Sequence, residues 1–222
     1  MVPSSLDDAL GSYATTVREV VVDVVRTRHN YSADAHQAAH TRNTRGYSTL
    51  WQDLLVDVQE AFSDRGHQLH KLVPAGHRVP IVNGCLVYVW RVPASGDPAR
   101  FATSPTKMSS FGASLPDNAD EESAAVPERS VDLEALMSST DGTMPVVLVM
   151  VHSSPRQLQA IDWAVAELDR ESGEVTFRGE ETIWQPELAA EVHAPGVERF
   201  DSGAPVPPAI EPRKQEGTDS DA

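Results

Sequence analysis

The chain has a single cysteine, few aromatic residues and no long apolar run, and each shortage narrows what it can be. Because Cys85 has no possible partner, no internal disulfide forms and no oxidising compartment is indicated. The apolar run Val146–Val151 is far too short to cross a bilayer. Aromatic residues make up only 6% of the chain, which also contains 16 prolines. We therefore expect part of the chain to stay outside the core.

Lysine is scarce as well, with three lysines against fifteen arginines, a balance typical of a GC-rich bacterial genome. The first ten residues, MVPSSLDDAL, carry acid where a signal peptide carries base, and no apolar segment follows them. The sequence therefore predicts a cytoplasmic protein of a bacterium, without membrane association.

Acidic residues are concentrated in the second part of the chain. The net charge is −15; residues 1–95 carry nine basic and nine acidic residues, whereas residues 96–222 carry nine and 24. A strongly acidic half repels phosphate backbones, so the net charge disfavours broad nucleic-acid binding. Its simplest interpretation is that the acid keeps a loop-rich protein soluble.

Two amphipathic helices are predicted near the N-terminus, over residues 5–28 and 47–63. In both segments apolar residues recur at steps of three and four, which places them on one helical face. Asp7 and Asp8 suit the first turn of the earlier helix. Residues 29–46 are mostly polar, and they are interpreted as a connection.

A β-hairpin is predicted around Asn83-Gly84. Both residues of this pair tolerate the positive φ that a type I′ turn requires, and β-rich runs flank them. Pro80 is expected either to face a sheet edge or to make the strand start late, since it has no N–H for a ladder. The alternation after the turn places Leu86, Tyr88 and Trp90 on one face and Val87, Val89 and Arg91 on the other. Strands are predicted near residues 78–82, 85–92, 145–152, 161–168 and 175–183.

These elements predict an α+β protein in which two N-terminal helices pack on an antiparallel sheet of four to six strands built from hairpins. A single domain is expected over residues 1–192, with a flexible loop at 93–130. Residues 193–222 are rich in proline, glycine and charge, and they are predicted to form a disordered acidic tail.

Three histidines are candidate metal ligands. His36 and His40 lie four residues apart, on one face of a helix, and His29 shares that face if the helix extends backwards. The stretch His36-Gln37-Ala38-Ala39-His40 resembles the His-Glu-x-x-His motif of zinc metalloproteases. Gln37 replaces the glutamate that acts as general base there, so the resemblance does not imply protease activity. A divalent metal held by His29, His36 and His40 is kept as a hypothesis.

The same stretch contains a basic patch made by Arg26, Arg28, Arg42 and Arg45, with Asp34 as its one acid. Guanidinium groups bind phosphate and carboxylate groups, so the patch is a candidate site for a phosphate or a partner protein. Docking onto the acidic second half of the chain is the intramolecular alternative.

No coherent catalytic set is present in the sequence. Phosphate-loop and dinucleotide-binding fingerprints are absent, and Ser153-Ser154-Pro155 is interpreted as a turn, because a nucleophile elbow needs flanking glycines. We expect a non-catalytic interaction or regulatory protein, without a cofactor, that binds another protein or a second copy of itself. The alternatives are a metal-dependent enzyme using the three histidines and a nucleic-acid- or nucleotide-linked protein using residues 26–45.

Overall fold

Helices open the chain and a sheet follows them. The structure is a computed structural model that describes residues 3–40, 42, 44–49, 51–94, 96–115 and 142–186. The helices are α1 (Leu6–Leu10), α2 (Ala14–Ala38), α3 (Thr44–Thr49), α4 (Leu54–Ser63) and α5 (Pro105–Ser109). The strands are β1 (Gln68–Lys71), β2 (Arg78–Val82), β3 (Cys85–Arg91), β4 (Val146–Ser153), β5 (Leu158–Leu168) and β6 (Val175–Trp184).

The N-terminal helical region is longer than its sequence pattern predicts. Ser5 caps α1 by accepting a hydrogen bond from the Asp8 N–H at 3.1 Å. Gly11, at φ 55°, ends α1, and a 3₁₀ turn leads into α2. Helix α2 then continues to Ala38 instead of ending at residue 28, so the interpretation of 29–46 as a plain connection is wrong for its first part. The second predicted helix, 47–63, is divided into α3 and α4.

The α+β class is confirmed by one six-stranded sheet whose strands lie in their order along the chain. Four of its five strand pairs are antiparallel, as predicted, but β3 and β4 are parallel. A hairpin cannot join parallel strands, so residues 92–145 return the chain from the end of β3 to the start of β4. Part of the segment predicted as a loop at 93–130 is helical, since α5 and the 3₁₀ turns Pro98–Thr103 and Ser110–Gly112 lie in it. Residues 116–130 and the predicted tail at 193–222 lie outside the described residues.

The β2–β3 hairpin has the predicted turn but a short ladder. Asn83 and Gly84 have φ 50° and 73°, as a type I′ turn requires. The strands then pair only at Val82 with Cys85 and at Ile81 with Leu86. The next hydrogen-bonded pair would need an N–H from Pro80, which has none. Pro80 therefore lies inside β2, between β1 and β3, and not at a sheet edge. The ladder with β3 begins only after Pro80, which agrees with the alternative of a late start.

Each face of the sheet has its own core, as the alternation in β3 predicts. Val87 and Val89 pack with the α1, α2 and α4 side chains on one face. Leu86 and Tyr88 pack with Phe101 from the connection on the other face, and Trp90 lies against that second core. Among the described helices, none is long and apolar enough to cross a membrane.

Cys85 links the start of β3 to the N-terminal helices by a hydrogen bond. Its thiol and the Asn83 amide both donate to the Ala9 carbonyl oxygen, at 3.2 and 3.0 Å. Burial raises the pKa of this thiol to about 12. Cys85 is therefore a neutral packing residue near pH 7.

Candidate functional site

The ends of β3 and β4 bring polar residues together. The two strands are parallel, so their carboxyl ends, at Arg91 and Ser153, lie at the same edge of the sheet. In sheets with parallel strands, ligands often bind beyond such carboxyl ends. This edge of the sheet is therefore a candidate position for a ligand-binding site.

Arg91 is held rigidly at this edge. Its Nε donates to Ser153 Oγ at 2.9 Å, and its guanidinium carbon lies 4.9 Å from the centre of the Tyr47 ring and 5.7 Å from that of Trp51. Weaker bonds run to Ser48 Oγ and the Ser153 carbonyl, both at 3.4 Å. Within the described part of the chain, Arg91 forms no ion pair with a carboxylate. In this part of the chain its partners are thus aromatic rings and neutral oxygens.

Lys107, from α5, is a second cation of the same kind. Its Nζ lies 4.2 Å from the centre of the Trp90 ring and 5.1 Å from that of Phe101. Burial among these rings lowers the pKa of the ammonium group from its ordinary value. None of the described carboxylates forms an ion pair with it.

A groove of about 460 Å³ joins the two cations, and we call it the β3 groove. Its volume is in the range of ordinary ligand sites. No Asp or Glu of the described residues lines it. The lining residues are Ser48, Trp51, Gln52, Leu54, Leu55, His77, Tyr88, Val89, Trp90, Arg91 and Lys107. The groove thus combines aromatic residues with two cations that pair with none of the described carboxylates.

A polar cluster lies directly behind this groove, formed by His29, Ser32, His36, Tyr47 and Trp51. The three α2 residues fall at steps of three and four, so they share one face of that helix. Tyr47 meets both imidazoles edge-on, with ring centres 6.4 Å away for His29 and 6.0 Å for His36. This contact explains why α2 extends beyond its apolar stripe: a polar face is buried there.

Four buried atoms of the polar cluster have no hydrogen-bond partner in the described structure: Ser32 Oγ, His36 Nδ1, Tyr47 Oη and Trp51 Nε1. Each such atom costs roughly 1–3 kcal/mol of folding free energy. Native structures contain few of them, and each calls for an explanation. Tyr47 and Trp51 both lie against Arg91, and His36 packs on Tyr47, which marks this region as a candidate site.

The three predicted metal ligands are placed in different surroundings. The Nε2 atom of His29 lies 3.2 Å from the Ser154 carbonyl oxygen. His36 faces Tyr47, and His40 is exposed beyond the end of α2, with φ 48°. No three His, Cys, Asp or Glu residues of the described ranges are grouped to hold a metal ion. Metal binding by His29, His36 and His40 stays a prediction.

The predicted basic patch is not a continuous surface where the structure describes it. Arg26 lies over the Trp184 ring at 5.8 Å. Arg28 binds Asp57 through two nitrogens, at 2.5 and 2.6 Å, and pairs with Asp53 at 3.3 Å. Arg42 is exposed, and the Arg45 side chain lies outside the described residues. Binding of phosphate or a partner by these arginines stays a prediction.

Ser153 and Ser154 serve the structure of the strand end. Ser153 is buried and bonded to Arg91, and Ser154 closes a turn by accepting from the Gln157 N–H.

On the opposite face, His152 Nε2 lies 3.4 Å from Asp162 Oδ2, and Thr182 donates to Asp162 Oδ1 at 2.6 Å. The histidine and carboxylate thus form a pair that the sequence did not reveal.

None of the residues that line the β3 groove was predicted from the sequence as a site residue. Arg91 was assigned to a strand face, and Trp51 and Trp90 were interpreted as apolar packing. Lys107 had one available signal: it is one of only three lysines, in a segment between two apolar strands. The pairing of β3 with β4 was not readable from spacing, and it is this pairing that creates the site.

Comparison of the chain with family models, with curated proteins and with solved structures finds no match. The function is therefore argued from the geometry of the β3 groove.

Proposed function

We propose that this protein is a non-catalytic interaction protein that binds a short acidic segment of a partner protein in the β3 groove. The observation that carries the proposal is the pair of partly buried cations, Arg91 and Lys107, which flank an aromatic lining and form no ion pair with a described carboxylate.

The chemistry of the groove favours a carboxylate-bearing segment with an aromatic or aliphatic residue. Arg91 and Lys107 supply charge-assisted hydrogen bonds, which are stronger than neutral ones. Trp90 supplies aromatic surface of the kind that dominates interface energetics, and the buried rings of Trp51 and Tyr88 complete the wall of the groove. Burial raises the pKa of Tyr88 to about 12, so its hydroxyl remains neutral and does not repel an anion.

A short segment fits better than a long polyanion. The chain is acidic as a whole, so a nucleic acid would meet repulsion beyond the groove. A segment with a few carboxylates can be bound within about one Debye length of the two cations, roughly 8 Å at physiological salt. A partner protein that presents such a segment satisfies both conditions.

The test is a fluorescence titration with a defined probe, an acetylated pentapeptide of four glutamates around one phenylalanine. Trp51 and Trp90 line the groove, so binding is expected to change tryptophan emission. Arg91→Gln and Lys107→Met should each weaken binding about tenfold, the loss of one charge-assisted bond. Arg178→Gln, on β6, removes a cation that is paired with Glu167 and should leave the affinity unchanged.

The salt and charge dependence complete the test. Affinity should fall as ionic strength rises, and a matched pentapeptide with four lysines should not bind. Equal binding of the lysine peptide, or equal affinity in wild type, Arg91→Gln and Lys107→Met, would show that the groove is not an acidic-segment site.

A further inference from the structure

We propose that copies of this protein associate head to tail, with the β1 edge of one copy paired to the β6 edge of the next. The partner at this interface is a second copy of the chain. The interface is an additional interaction surface, and it does not depend on the proposed function of the β3 groove.

Strands β1 and β6 are the two edges of the sheet. Among the described residues, no strand pairs with the outer side of either one. An edge strand presents N–H and C=O groups that can pair with a strand of another chain. In β6 the stretch Arg178–Thr182 is exposed throughout, and in β1 Gln68 and Lys71 are exposed. Within the described part of the chain, each edge is therefore open to a further strand.

The two edges carry opposite charge. The β1–β2 hairpin, residues 68–82, contains Lys71, Arg78 and two histidines and has no acidic residue. Residues 167–184, around the β5–β6 turn and β6, contain six acidic residues against two arginines. Two β1 edges repel each other, as do two β6 edges, whereas β1 and β6 attract. Charge thus favours the pairing of unlike edges over the pairing of identical ones.

Lys71 and Glu180 are the charges that each edge strand offers to another copy. Both side chains are exposed, and neither forms an ion pair with a described residue. Glu181, next in the chain, is already bound within its own copy by Arg18 and the Trp163 indole. We therefore place the attraction between copies at Lys71 and Glu180.

The strand directions allow the sheet to continue from one copy to the next. Following the pairings across the sheet, β1 and β6 run in the same direction. A second copy in the same orientation therefore places its β1 parallel to β6 of the first, with the helices of both copies on one face. Each end of such a pair still has an open edge strand, so the association is heterologous and continues beyond a dimer.

Sedimentation velocity of the full chain over a range of concentrations tests the assembly. At an ionic strength of about 0.15 M the Debye length is about 8 Å, so adjoining edges attract while the net charge of −15 is screened over longer distances. The wild type should form a series of oligomers that grows with concentration and shifts towards the monomer at about 1 M salt. A monomer at every concentration, or a series that stops at the dimer, would refute head-to-tail pairing.

A charge-swap experiment identifies the edges. Lys71→Glu and Glu180→Lys each give both edge strands the same charge at these positions, so each variant alone should associate about tenfold more weakly. Both positions are exposed, so the fold should tolerate the changes. An equal mixture should recover the association, because the altered β1 of the first variant then meets the altered β6 of the second, and their unaltered edges form the native pair.

Matched controls make the same charge changes away from both edges. Arg156→Glu, in the turn between β4 and β5, and Asp34→Lys, on α2, alter exposed residues and should associate like the wild type. Weakening by these variants equal to that of the edge variants would assign the effect to net charge and would overturn the proposal.

Arg91→Gln separates the edge interface from the groove. If acidic residues of one copy bound in the β3 groove of another, this variant would lose the association. We expect it to associate like the wild type while its affinity for the glutamate pentapeptide falls. Loss of association in Arg91→Gln, or a mixture of the two swap variants that stays as weak as each alone, would contradict β1–β6 pairing.

Discussion

Two arginines on the helical side of the sheet have different partners: Arg28 pairs with carboxylates, whereas Arg91 pairs with none of those described. Arg28 lies in the seam between α2 and α4, where Asp53 and Asp57 neutralise it and its bonds to Asp57 raise the pKa of the guanidinium group. Arg91, at the end of β3, is surrounded by rings and serine oxygens. Lys107, across the groove, resembles Arg91.

This difference separates a structural cation from one that is available for binding. A bidentate pair with a carboxylate fixes two helices together and leaves little attraction for an outside anion. A partly buried cation held by aromatic rings has no counter-charge there, so it can still attract an anion, and its partial burial costs folding free energy. The comparison predicts that the seam supports stability and the groove supports binding.

The largest expected effect comes from breaking the seam. Asp57→Ala removes the acceptor of both the Nε and Nη2 atoms of Arg28 and leaves a half-buried charge. Unfolding free energy should fall by about 2–3 kcal/mol in urea denaturation. Affinity for the glutamate peptide should not change. The comparison fails if Asp57→Ala weakens the peptide as much as Arg91→Gln does. Glu167→Ala, at an exposed pair, is the control and should cost less than about 1 kcal/mol.

An intermediate effect is expected at alkaline pH. Burial raises the pKa of Cys85 from 9.0 and that of Tyr88 from 10.0, each to about 12. The unfolded chain therefore loses these protons first, so stability is complete below pH 9 and falls as the pH rises towards 12. The slope contributed by each group reaches at most about 1.4 kcal/mol per pH unit. Urea titrations at several pH values should show a shallower decline between pH 9 and 10 in Cys85→Ala; an unchanged decline would assign it to other groups.

The smallest expected effect is the change in stability when Lys107, the second cation of the groove, is replaced. The lowered pKa of Lys107 means that burial disfavours its charged form, so Lys107→Met should make the free protein slightly more stable near pH 7. Solvent screens this half-buried charge, and the gain should stay below about 1 kcal/mol. Thermal unfolding of the variant measures it. A clear loss of stability would show that the cation–π contacts with Trp90 and Phe101 are structural.

Local signals in the sequence were sufficient for much of the sheet. Asn83-Gly84 specifies its own turn, and the alternation of β3 assigns its side chains to two faces because the period of a strand is two. Strand β1 was missed because Gln68–Lys71 is short, polar and at the edge, with no apolar run to mark it. Pro80 was misplaced because a proline ends a ladder on one side of a strand without excluding the strand from the sheet interior.

The candidate site needed long-range information that no local pattern holds. His29, Ser32 and His36 are polar, so their segment was interpreted as a connection, although Tyr47 and Trp51 bury it as a helix face. Arg91 lies on β3 and Lys107 on α5, and they line one groove only after the chain has folded. Side-chain chemistry indicates which residues could bind a ligand, but only tertiary packing decides which of them converge.

The parallel β3–β4 pairing at the centre of the sheet separates two sets of three antiparallel strands. β1–β2–β3 and β4–β5–β6 are each joined by antiparallel pairing between consecutive strands, so each trio can assemble through contacts that are close in sequence. Only the β3–β4 pairing requires the chain to close a loop as long as residues 92–145. Pairings between residues far apart in sequence slow folding. Because Arg91 and Ser153 lie at the end of the β3–β4 pair, the candidate site exists only once the two sets of strands are paired.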